Sequence, residues 1–119
     1  MKKIIACTSA IVGCALATAS HAGPISKWDS RPPKEKYQTS ASIYDVERCM
    51  SDMDNVPVPA ILRQPDRPNH TTMLWGNPVT PETSARLDAA KTAGGTTEVT
   101  VWKLADSAIE RLKTCAPPK

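Results

Sequence analysis

His70, a few closely spaced carboxylates and four cysteines are the side chains of this sequence whose types and spacing could do chemistry. A hydrolytic relay would take His70 as base, Ser84 or Ser107 as nucleophile, and Asp66 or Asp106 to orient the imidazole. Such a relay needs its serine presented on a strained turn, and no G-x-S-x-G elbow is present. His70 therefore reads as a polar loop residue beside Pro68-Asn69. Asp52 with Asp54, and Glu82 with Asp88, are near enough in sequence to suggest paired acids. Glycoside hydrolysis requires two carboxyls facing each other across a sugar, which neighbouring positions at a helix end do not supply. Asp52-Met53-Asp54-Asn55 opens like a calcium loop but lacks the central glycine and the distal glutamate. Gly94-Gly95 lacks the Lys-Ser or Lys-Thr ending of a phosphate loop. The sequence thus predicts no catalytic residue, no metal site and no cofactor, and the chain reads as a non-enzyme.

The cysteines divide by position. Lys2 and Lys3 precede an uncharged, largely apolar run from Ile4 to Ser20 that ends in Ser20-His21-Ala22, the layout of a bacterial export signal over residues 1–22. Cleavage after Ala22 removes both lysines and lowers the formal charge from +3 to +1. A nearly neutral chain offers no footprint for nucleic acid or an anionic membrane, which call for clustered positive charge. Ile11-Val12-Gly13-Cys14 resembles a lipobox, an alternative that would tether the protein to the envelope membrane through a lipid on Cys14. Either route removes Cys7 from the folded domain and leaves Cys49 and Cys115, which in an exported chain are expected to form one disulfide in the oxidising periplasm.

The elements that would position these residues follow from periodicity. Thr96–Leu104 alternates Val99 and Val101 against Thr100 and Trp102, the clearest strand in the chain. From Asp106 the period lengthens, and Ala108, Ile109, Leu112 and Cys115 share one helical face. Ser42 caps a helix that carries Ile43, Val46, Cys49, Met50 and Met53 along one stripe. Ala60–Gln64 and Thr71–Gly76 read as a hairpin around the turn-rich Pro65–His70 segment. Val79–Gly95 admits two readings, an alanine-rich helix starting at Thr80-Pro81-Glu82, or a strand that turns at Gly94-Gly95 into the last one; the strand is preferred. Residues 23–41, with Pro24, Pro32 and Pro33 and no periodicity, read as a flexible lead-in. The expected fold over 42–119 is a two-layer α+β domain: an antiparallel sheet of about four strands, order α-β-β-β-β-α, with both helices on one face.

A small stapled domain without catalytic groups is expected to work by binding. The Arg63–His70 loop, with Arg63, Asp66, Arg67 and His70, and the sheet surface form the expected binding surface; Trp75 and Trp102 read as core, and either would add an anchor if it faced outward. The sequence reading is a binding, inhibitory or immunity-type module whose partner is an envelope protein or a glycan. The alternative is a small periplasmic hydrolase or cell-wall-processing factor.

Overall fold

The computed structural model describes residues 23, 25–76 and 82–119. The expected export signal and the candidate lipidation site Cys14 lie outside the described residues. The elements are β1 (Glu35–Thr39), α1 (Ile43–Ser51), β2 (Ala60–Leu62), β3 (His70–Gly76), β4 (Thr83–Lys91), β5 (Thr97–Trp102) and α2 (Asp106–Cys115), preceded by a 3-10 turn at Ser26–Trp28. The class is α+β, with one antiparallel sheet of strand order β1-β5-β4-β3-β2.

Two expectations are corrected. The sheet has five strands rather than about four, and a strand precedes α1, because the segment read as a flexible lead-in supplies β1. Its sequence hid it for a physical reason. An edge strand against one neighbour needs little apolar surface, and only Tyr37 and Thr39 turn well inward, while inward Glu35 reaches Lys113 of α2 at 2.7 Å. The free edge of β1 is closed by the C-terminal tail, through a Thr39–Pro118 bridge and a 2.8 Å hydrogen bond from the Lys119 N–H to the Gln38 carbonyl.

The capping box of α1 forms as its sequence requires. Ser42 Oγ accepts the Asp45 N–H, and the Asp45 carboxylate accepts the Ser42 N–H, each at 3.1 Å. These bonds, helped by nearby Arg48, hold the Asp45 carboxyl below its ordinary value. Of the Val79–Gly95 stretch, residues 79–81 lie outside the described residues and Thr83–Lys91 is a strand: Ala85, Leu87 and Ala89 point inward while Arg86 and Asp88 point outward. Gly95, at φ +82°, makes the turn into β5.

One core lies between the sheet and the helices. Val46 and Met50 of α1 and Ala108, Ile109 and Leu112 of α2 pack with Met73, Leu87, Val99 and Val101. The disulfide is present: Cys49 and Cys115 join the two helices with their Cα atoms 6.2 Å apart.

Candidate binding site on the open sheet face

Strand register decides which side chains meet on the face away from the helices. Arg86 of β4 stands opposite Trp102 of β5, and Asp88 stands opposite Thr72 of β3. Residues i and i+2 of a strand share a face, so Arg86 and Asp88 are neighbours as well. The outcome is a two-point pair, Arg86 Nε to Asp88 Oδ1 at 2.8 Å and Nη2 to Oδ2 at 2.7 Å. Thr72 Oγ1 donates to Asp88 Oδ1 at 3.0 Å, and His70 Nε2 lies 3.6 Å from Asp88 Oδ2.

This polar row is roofed by residues 25–31. Arg86 Nη1 donates to the Ile25 carbonyl and to Asp29 Oδ1, both at 2.8 Å, and Trp102 Nε1 donates to the Arg31 carbonyl at 3.0 Å. The guanidinium also stacks over the Trp102 ring, 4.9 Å from its centroid. Burial alone would push the Arg86 pKa down; the hydrogen bonds and charges of Asp88, then of Asp29, outweigh it and raise it above the ordinary value.

Sequence reasoning missed this network because its outer anchor, Asp29, sits in the lead-in. The available signal was the outward Arg86-x-Asp88 spacing on a strand. It also changes the meaning of Asp88: its oxygens are occupied by Arg86 and Thr72, and it is not half of a pair with Glu82.

The expected surface residues separate into four groups. Trp75 takes the core position rather than the outward one: it lies on the helix face, 5% exposed, with Nε1 donating to the Pro57 carbonyl at 2.7 Å. Trp102 is half-buried on the open face, beneath the strap rather than free. Arg63 turns toward α1, where it pairs with buried Glu47 and lies 5.4 Å from the centre of the Tyr44 ring. The other Glu47 oxygen accepts the Thr71 hydroxyl at 2.7 Å. Arg63 borders a cavity of about 310 Å³ with Tyr44, His70 and Lys91.

His70 also borders a second cavity, of about 410 Å³ on the open face, and Arg67 borders this one with Ile25, Asp29, Leu62 and Arg86. Asp66 is exposed in the turn beside it. The floor is polar and internally satisfied, the wall carries Ile25 and Leu62, and the rim carries Arg67. Among the described residues, the Arg67 guanidinium has no ion-pair or hydrogen-bond partner. Such a cavity can receive an acidic group with an apolar neighbour. No group of three His, Cys, Asp or Glu side chains among the described residues is arranged to hold a metal ion, and no helix among them is long and apolar enough to cross a membrane. Comparison with protein-family models, with curated proteins and with solved structures finds no match for this chain.

Proposed function

We propose that the protein is a small, non-catalytic binding module of the bacterial envelope that receives an acidic group of an envelope protein or glycan in the open-face cavity. The observation that carries this reading is the Arg67 guanidinium, unpartnered among the described residues, beside a cavity where Arg86 is paired with Asp88 and Asp29. A guanidinium in that position gives up little on meeting a carboxylate, whereas Asp88 would have to abandon Arg86 and Thr72 to act as an acid or base. Export through the 1–22 segment, with lipid attachment at Cys14 as the tethered alternative, accords with an interhelix disulfide, which persists in oxidising compartments.

The test compares immobilised wild-type protein with Arg67→Glu in envelope extracts. Stoichiometric retention of one defined species by the wild type, lost with Arg67→Glu, is the expected result. Equal retention by both would remove the cavity from the account. Turnover of an ester or of peptidoglycan that disappears in His70→Ala would replace a binding module with a hydrolase.

A further inference from the structure

Three cations, Lys27 and Arg31 from the strap and Lys103 more than 70 residues later in the chain, meet at one indole. Lys27 Nζ lies 4.9 Å, Arg31 Cζ 5.1 Å and Lys103 Nζ 6.0 Å from the centre of the Trp28 ring. The ring is fixed: Trp28 is 1% exposed, and its Nε1 donates to Thr83 Oγ1 at 3.0 Å. Lys27 is held as well, by a 2.7 Å hydrogen bond from Nζ to the Thr83 carbonyl. Arg31 and Lys103 are exposed. Among the described residues, none of the three has a carboxylate within ion-pair distance. An open concavity of about 660 Å³ gathers Lys27, Trp28, Arg31 and Lys103 with Ser84 and with Glu82, an acidic residue on its wall. All three cations border this one concavity, so their charges add there, and the electron-rich ring offsets only part of that excess.

Backbone strain at Lys103 is a second, independent observation. Its φ is +53°, in the left-handed region that side chains other than glycine, asparagine and aspartate seldom occupy. Glycine would make the turn between β5 and α2 at lower cost, so the lysine is held there against the backbone's preference. Strain of this kind gathers where a side chain is needed in one place. What Lys103 adds in that place is the third cation.

We infer that Lys27, Arg31 and Lys103, arranged around Trp28, form a binding site for a phosphate group, separate from the open-face cavity. Three converging cations match a multiply charged tetrahedral anion better than a single carboxylate, which would leave net repulsion behind. The same chemistry is presented by inorganic phosphate and by an anionic phospholipid headgroup.

The disulfide-bonded protein is titrated with sodium phosphate against sodium chloride at matched ionic strength, following the Trp28 Nε1–H resonance. In parallel it is sedimented with vesicles of phosphatidylglycerol in phosphatidylcholine and with phosphatidylcholine alone. Saturable perturbation by phosphate without sedimentation assigns the site to a free anion. Sedimentation with phosphatidylglycerol vesicles alone assigns it to a headgroup. Lys103→Glu is expected to abolish the response, and Arg48→Glu, the same charge change on α1, to leave it intact. Lys103→Gly is the decisive variant, expected to raise the thermal midpoint by relieving the left-handed residue while weakening binding at least tenfold. Absence of a saturable response to either probe, an unchanged response in Lys103→Glu, or wild-type binding by Lys103→Gly overturns the inference.

Discussion

Arg86 keeps its charge at 6% side-chain exposure because four of its five N–H donors meet oxygen and its flat face meets an indole. The reverse problem, a half-buried group that stays neutral, arises at Tyr37. Desolvation, and behind it the charge of Glu35, pushes the Tyr37 pKa from 10.0 to about 12, while the phenol donates to the Ala116 carbonyl at 3.0 Å. The unfolded chain releases this proton at lower pH than the folded one. The contribution of Tyr37 to stability is therefore complete below pH 10 and is lost as pH climbs from there toward about 12. Urea midpoints measured across that window are expected to fall more steeply for the wild type than for Tyr37→Phe. Parallel slopes would place the ionising phenol outside the packed tail.

At the scale of elements, the strap of residues 25–31 is the part the sequence concealed. β5, α2 and α1 were legible because each buries several apolar side chains at a regular period, and the β2–β3 hairpin because turn formers separate two apolar runs. β4 was legible only through its context: its alanines suit helix or strand, and the Gly94-Gly95 turn into β5 favoured the strand. The strap and β1 carry one buried tryptophan and one inward tyrosine among prolines and charges, so no local pattern marks them. Their order comes from partners more than 50 residues away, Thr83, Arg86 and Trp102 for the strap and β5 for β1. The candidate site was legible to the same extent. Arg67 and His70 could be read as loop residues, but the cavity they border requires Ile25 and Asp29 from the strap. Trp28 anchors that strap, so Trp28→Ala is expected to cost about 3 kcal/mol or more, as large-to-small changes at buried aromatics do. Amide exchange should then quicken along the outward row of β4 while the helix-side core keeps its protection. Uniform loss of protection would mean that the strap belongs to the core rather than resting on it.

For the whole molecule, the disulfide matters through what it encloses. The bridge spans 66 positions and brackets β2 to β5, while β1 lies before it and the tail that closes β1 lies after it. Cys115 therefore does two things: it ties α2 to α1, and it delivers Ala116–Lys119 to the edge of β1, where Tyr37 and Gln38 receive the tail. A small domain buries a limited core, so restricting the unfolded chain contributes a large share of its stability. Closing a loop of this length typically contributes ~2–4 kcal/mol. Replacing both cysteines by serine is expected to lower the unfolding free energy by that amount in urea titrations, and reducing the wild type should reproduce the same midpoint. If the tail depends on the bridge, Tyr37 in the serine variant will also titrate nearer its ordinary value, because its hydroxyl loses the cover of Ala116. A lowered midpoint with an unmoved Tyr37 would confine the bridge to restraining the unfolded chain. An unmoved midpoint with an earlier Tyr37 would make it a local clasp for the β1 edge.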